Sequence, residues 1–263
     1  MDNKTFDDRY NVAPIIFKDW IKGRLDIADS VIFDFGCDTG VMSLGLIHHC
    51  SPKKVIGVDI NDNYMNLLFE VSNRINIKKL PENLEFYVIE PQGNFSKIIS
   101  KEVDCVFSWS VFEHVSQPIL KQKVVDLYKI LRKGGYAFIQ IAPLYYSAFG
   151  SHLNMIITAP WAHLTTQLNL FQDYVFKAEK SGVYADEDDS NFEKIKASLW
   201  SLYSTLNKIT SDELIKIFTS SGFTLIDKFT SCCQDTPPAS LKAVYRKEVL
   251  ITEQIVGLFR KNC

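Results

Sequence analysis

Ten residues, Val31 to Gly40 (VIFDFGCDTG), constrain the fold of this chain more than any other stretch. A β-branched and aromatic run, Val31 to Phe33, leads through Asp34 to Gly36 and Gly40, and an apolar-periodic segment begins at Val41. That order predicts a strand, a tight turn and a helix start. Glycine is used where backbone turns sharply or approaches a ligand closely, so Gly36 and Gly40 point to a small molecule held at a helix N-terminus.

The segments that follow repeat the alternation. GVMSLGLIHHC is a helix with Val41, Leu44 and Ile47 on one face, and KKVIGVDI is a second strand ending in Asp59, nineteen positions after Gly40. In a βαβ unit an acid at about that distance sits over a ribose, where a carboxylate accepts from two vicinal hydroxyls. The alternative is that Asp59, beside Asn61 and Asp62, caps the next helix, NDNYMNLLFEVSNRINI, which carries Leu67, Leu68 and Val71 inward. LEFYVIE is a third strand, and Glu90 or Gln92 at its exit is placed either to read a purine edge or simply to face solvent. EVDCVFSWSVFEHV is a fourth strand with its exit, LKQKVVDLYKILRKGG a helix, and YAFIQIAP a fifth strand. SDELIKIFTSSGF, capped by Ser211 and stopped by Gly222, precedes a sixth strand, FTLIDKFTSCC, and a seventh, VLITEQIVGLFRKN.

Two stretches depart from the alternation. Ahead of the first strand, APIIFKDWIKGRLDIA places Ile15, Ile16, Trp20, Ile21 and Leu25 at helical spacing and predicts a helix over the sheet edge; Tyr10, before it, either folds over a ligand or staples the arm to the core. Between residues 143 and 210 lies a segment dense in aromatics (LYYSAFGSHLNMIITAPWAHL) with an acidic tract, ADEDDS. It is too long for a connection and too apolar for a linker, so a lid is expected, inserted into a core made of 1–142 and 211–263.

Composition narrows the partners. A net charge of −2, from 29 basic and 31 acidic residues, offers no general attraction to nucleic acid. The opening MDNKTFDDRYNV has no apolar core and no run of eighteen apolar residues occurs, so a cytoplasmic home without membrane association is expected. The six cysteines (37, 50, 105, 232, 233 and 263) lack framework or CxxC spacing, which predicts reduced, structural thiols. No tight cluster of metal ligands is present either, and no metal is expected.

Spacing also bears on the ligand. A pyrophosphate site is served by GxGxxG, whereas this turn reads Gly36, Cys37, Asp38, Thr39, Gly40, and Asp34 and Asp38 would repel an anion and welcome a sulfonium or amino group. At this point the chain resembles the class I S-adenosylmethionine-dependent methyltransferases. DFGCDTG is similar to their first motif, usually DxGCGxG, VIGVDI to the ribose strand, and LEFYVIE to the adenine-side strand; SWSVFEHV and LRKGG resemble the segments after the fourth and before the fifth strand. The resemblance covers about 30–143 and, more loosely, 211–262, with Asp38 in place of the family's middle glycine. It implies a Rossmann-like, seven-stranded, mostly parallel sheet with helices on both faces, and S-adenosyl-L-methionine as cofactor. It places Asp34, Gly36, Cys37 and Gly40 around the methionyl part, Asp59 and Ile60 on the ribose side, Glu90 near the adenine, and Ser108 and Trp109 by the sulfonium.

Methyl transfer from a sulfonium is an in-line displacement in which alignment is the main task. A hydroxyl acceptor also needs a base, and imidazole suits neutral pH. His114 and His152 are the two candidates, each with a structural role as its alternative; Tyr145, Tyr146, Trp161 and His163 are the expected acceptor wall. The implied reaction is methylation of a hydroxyl or acid group on a sugar, nucleotide-linked or other precursor, as in surface polysaccharide synthesis. N-methylation of a small amine and a non-catalytic binding protein are the alternatives. SWSV is not the Asn/Asp-Pro-Pro-aromatic motif of amino-methylating DNA enzymes, so a nucleic-acid substrate is not expected.

Overall fold

The computed structural model describes residues 1–99 and 102–262. Cys263 lies outside the described residues. Seven strands form one sheet: β1 (Val31–Phe35), β2 (Lys54–Asp59), β3 (Leu84–Val88), β4 (Val103–Trp109), β5 (Leu131–Ile141), β6 (Phe223–Cys232) and β7 (Thr252–Lys261), in the order β3-β2-β1-β4-β5-β7-β6. The first five run parallel, and β7 enters antiparallel between β5 and β6. The order reverses between β1 and β4, and in an open α/β sheet the ligand crevice opens beyond the strand ends at such a reversal.

Period-two alternation sorts the strand residues onto two helical layers. Phe33, Phe35, Val106, Ile139 and Phe259 face α5 (Gln117–Ile130) and α9 (Ser211–Ser220), meeting Val124, Leu127 and Phe218. Ile32, Val55, Phe107 and Phe138 face α2 (Ala13–Ile21) and α3 (Val41–Cys50), where Phe17 packs edge-on against both Phe107 and Phe138. The α2 helix therefore covers a sheet face and not the sheet edge, and Ile15 is left exposed. Because α3 lies beneath both α2 and the arm before it, its burial is nearly all-round and not confined to the Val41–Leu44–Ile47 stripe. The arm consists of α1 (Asn3–Asp7) and one π-helical turn, Asp8–Val12. Tyr10 is its staple: the ring is buried and the hydroxyl lies 2.5 Å from His48 Nδ1.

Other boundaries move for local reasons. A 3₁₀ turn, Asn63–Asn66, precedes α4 (Leu67–Ile75), which buries Leu67 and Val71 and leaves Leu68 exposed. Helix α5 stops at Ile130, before LRKGG, because Leu131 already pairs with Val103 of β4 and Gly134 takes a left-handed φ of 72°. Thr210, one residue ahead of Ser211, caps α9 in a reciprocal box with Glu213.

Between β5 and α9 the chain forms α6 (Ala162–Thr165), α7 (Leu168–Lys177) and α8 (Asp189–Thr205). These share a small core of Tyr145, Leu153, Phe171, Val175, Tyr203 and Leu206. Among the described residues no helix is long and apolar enough to cross a membrane.

Candidate functional site

A cavity of about 940 Å³ opens at the carboxyl ends of β1, β2 and β4. Its floor is the turn after β1. Gly36 has φ 83°, and a Cβ there would lie 2.3 Å from Val111 Cγ2, so only glycine lets the turn and the Val111 side chain meet at the cavity wall. Gly40 serves packing instead: it starts α3 at φ 77°, and a Cβ would meet the Phe86 ring at 2.6 Å. It does not line the cavity, nor does Cys37, whose buried side chain lies toward Gly57 and whose thiol pKa is pushed up by burial.

Asp34 and Asp38 behave differently. Asp34 is buried under α3, where one oxygen accepts from Ser43 Oγ and Oδ1 has no partner among the described residues; burial, against the Ser43 bond, raises its pKa to about 7. It does not reach the cavity, so the expected repulsion of an anion by a fixed charge at Asp34 is replaced by a half-neutral, walled-off acid. Asp38 does line the cavity, in the left-handed region at φ 46°. It accepts from Asn63 Nδ2 at 2.8 Å and from Arg9 Nη1 at 2.6 Å; burial raises its pKa, but these bonds and the Arg9 charge outweigh that and hold it below the usual carboxylate range.

Asp59 ends β2 with both oxygens engaged, Oδ2 accepting from Asp38 N at 2.9 Å and Oδ1 from Asn61 N at 3.0 Å. It braces the glycine turn and the β2 exit rather than capping a helix. Each carboxylate oxygen keeps a second lone pair for a ligand. Ile60 and Glu90 line the same end of the cavity, and Gln92 does not. Beyond β4, Trp109 lines the wall, while Ser108 is fully buried and donates to Phe35 O at 3.1 Å behind it. Ser110, at φ 53°, takes the place at the wall that the sequence pattern assigned to Ser108.

The two candidate histidines are neighbours, their rings 5.3 Å apart and edge-on. His114 lines the cavity; its Nδ1 has no partner among the described residues, and burial lowers its pKa. His152 stands behind it, off the cavity, with Nε2 3.2 Å from Pro143 O; burial, with the His114 ring beside it, lowers its pKa to about 4. Glu113 is buried with both oxygens unpartnered among the described residues, and burial raises its pKa to about 8.

The expected acceptor wall lies elsewhere. Tyr145 belongs to the core of the 143–210 segment, Trp161 is buried with Nε1 donating to Tyr146 O and Leu250 O, and His163 is tied to Tyr145 O at 2.7 Å. Tyr146 packs against Tyr145 and Tyr245, and none of the four lines the cavity. Their aromatic density marked burial, which sequence alone does not distinguish from ligand contact. From this segment only Leu202 and Thr205, on α8, reach the cavity, whereas the N-terminal arm contributes Thr5, Asp8, Arg9 and Val12. No spacing in the sequence marks those positions; the alternative that Tyr10 folds over a ligand was the one hint that the arm reaches the site. Among the described residues no three His, Cys, Asp or Glu side chains gather as a metal site needs.

Residues 32–135 match a family model described as a methyltransferase domain. An uncharacterized methyltransferase of Schizosaccharomyces pombe is 29% identical over 111 residues, 41% of this chain and 37% of that protein. The ribosomal protein L11 methyltransferase of Colwellia psychrerythraea is 34% identical over 76 residues, 29% of this chain and 24% of that protein. The matched part thus spans well under half the length of either relative. A solved S-adenosylmethionine-dependent methyltransferase from Clostridium acetobutylicum superimposes with a TM-score of 0.57 at 11% identity, covering 99% of this chain and 97% of that one, a likeness of fold.

Proposed function

We propose that this chain, which carries the class I S-adenosylmethionine-dependent methyltransferase fold with its methyltransferase domain at residues 32–135, methylates a hydroxyl of a compact small molecule. The observation that carries the reading is His114: a half-buried imidazole on the cavity wall, beyond β4 with Trp109 and Ser110, whose Nδ1 is walled off and whose Nε2 is left accessible with no partner among the described residues. The residues present fit the cofactor. The Gly36 turn, the free lone pairs of the Asp59 carboxylate and the Ile60–Glu90 end line one cavity and form the cradle. Bound there, S-adenosylmethionine supplies an electrophilic methyl group.

The protein's own part is to align and to move one proton. His114 Nε2, the ring nitrogen that is not walled off, accepts the hydroxyl proton as the acceptor oxygen attacks, and burial lowers the pKa of the ring, so the base is neutral and available across neutral pH. Four acids, Asp8, Asp38, Asp59 and Glu90, line the cavity against two bases, Arg9 and Lys123. Most of these groups belong to the cofactor cradle, so the preference for a neutral hydroxyl, as in polyols, rests on the uncharged His114 imidazole. The same imidazole suits a cationic amine equally, and this is the second reading. An arm-covered pocket and a net charge of −2 speak against a nucleic-acid substrate.

Calorimetry with S-adenosylhomocysteine tests the cofactor part. Wild type should bind, and Asp59→Ala should lose about 1.5–3 kcal/mol, the range for a hydrogen bond to a charged group; no binding by wild type sinks the reading. Against a panel of polyols, sugars and amines with labelled methyl donor, His114→Ala should keep its affinity and lose about 10²–10⁴ in turnover. The methylated atom in the product separates hydroxyl from amine acceptors.

A further inference from the structure

The N-terminal arm brings a cation to the glycine turn. Arg9, on the π-helical turn, lines the cavity and pairs through Nη1 with Asp38, while its Nε and Nη2 have no partner among the described residues. The other cation on the wall, Lys123, is differently placed: its ammonium donates to Gly93 O and lies 4.9 Å over the Phe95 ring, on the α5 side. The remaining charged groups on the cavity wall are acids, Asp8, Asp38, Asp59 and Glu90.

A ligand ending in an α-amino acid carries a carboxylate, and burying it in a cavity lined by acids is unfavourable without a paired cation. Guanidinium is the side chain suited to that task, because its planar fork grips a carboxylate with two parallel bonds while a third nitrogen is held elsewhere. Asp38 does the holding. It occupies the position where related motifs carry glycine, adopts the left-handed backbone that glycine would, and uses its carboxylate to fix Arg9 Nη1 and Asn63 Nδ2. The arm is itself fastened to the core by Tyr10 on His48 and by Phe6 among Val41, Leu44, Leu67 and Val71, so Arg9 is presented from a packed element.

We propose that Arg9, oriented by Asp38, is the binding residue for the carboxylate of the ligand's amino-acid end, and that this arm contact selects ligands carrying that end. The inference rests on the cofactor reading above, and a pair of probes separates the two. S-adenosylhomocysteine carries the amino-acid end; 5′-methylthioadenosine has the same adenosine and sulfur without it. The arm need not be removed, since substitutions at Arg9 alter only the guanidinium.

By calorimetry, Arg9→Gln should weaken S-adenosylhomocysteine by about ten- to a hundredfold and leave 5′-methylthioadenosine within about twofold of wild type. Arg9→Lys, which keeps charge but not the fork, should fall between, and thermal melts of both variants check the fold. Unchanged affinity for S-adenosylhomocysteine, or equal losses for both probes, overturns the assignment of Arg9 and leaves the cofactor reading standing. If wild type binds neither probe, the cofactor reading fails and this inference with it.

Discussion

Glu113 is the side chain whose ionisation the fold resists most plainly. The residue is 3% exposed, neither carboxyl oxygen has a partner among the described residues, and burial lifts its pKa from 4.5 to about 8. Below pH 4.5 folded and unfolded chains are both protonated there, and the group has no effect on stability. Between 4.5 and about 8 the unfolded chain gives up the proton while the fold keeps it, so the fold binds more protons and its stability falls as pH rises. Glu113→Gln removes this dependence. Urea unfolding at pH 5 and pH 8 should show the variant gaining on wild type at the higher pH by a few kcal/mol, on the order of the shift at about 1.4 kcal/mol per unit. A gap that does not widen with pH would show that Glu113 ionises freely in the fold. A neutral Glu113 also leaves no carboxylate charge beside His114, whose pKa burial lowers.

The loop carrying Glu113 and His114 is held by an element far away in sequence. Asn207, just after α8, donates through Nδ2 to Phe112 O and to Val115 O at 2.8 Å, its backbone N donates to Glu113 O at 2.9 Å, and its own carbonyl accepts from Gln117 Nε2 at 2.6 Å. Four hydrogen bonds thus tie the end of the 143–210 segment to the loop between β4 and α5. Asn207→Ala would strip two buried carbonyls of their donor, at a cost of about 1–3 kcal/mol each when unsatisfied. The expected outcome is a lower denaturant midpoint together with reduced turnover at preserved affinity for S-adenosylhomocysteine, because the cradle at Gly36 and Asp59 is built on other elements. Loss of affinity in step with stability would contradict that division. The α8 residues Leu202 and Thr205 on the cavity wall fit a lid role for this segment, which remains our proposal.

Over the whole molecule, opposing buried groups shape stability against pH. Asp34 and Glu113 are raised to about 7 and about 8, while His152 and His163 are lowered from 6.5 to about 4, all chiefly by burial. Between about pH 4.5 and 6.5 the fold holds two carboxyl protons that the unfolded chain lacks, and the unfolded chain holds two imidazole protons that the fold lacks. These slopes oppose one another, and His48 and His114, whose pKa values burial also lowers, add to the imidazole side. Above 6.5 the imidazoles are neutral in both states and only the carboxyls contribute, so stability declines toward pH 8. Urea midpoints should hold or rise from about pH 5 to 6.5 and fall beyond it; midpoints rising steadily to pH 8 would refute the balance. The order of strands and helices, the glycine turn and Asp59 at the end of β2 were legible in the sequence because each is a local pattern: period-two or helical spacing, a left-handed glycine, an acid at a fixed distance. Pairings between distant residues were not. Arg9 meets Asp38 and His114 meets His152 only after α3 and the segment beyond β5 have packed, and no periodicity connects such positions. The aromatics Tyr145, Tyr146 and Trp161 show the same division: composition made it plain that they would pack, but tertiary structure decided against what, because burial lowers their free energy equally well against a ligand or against one another.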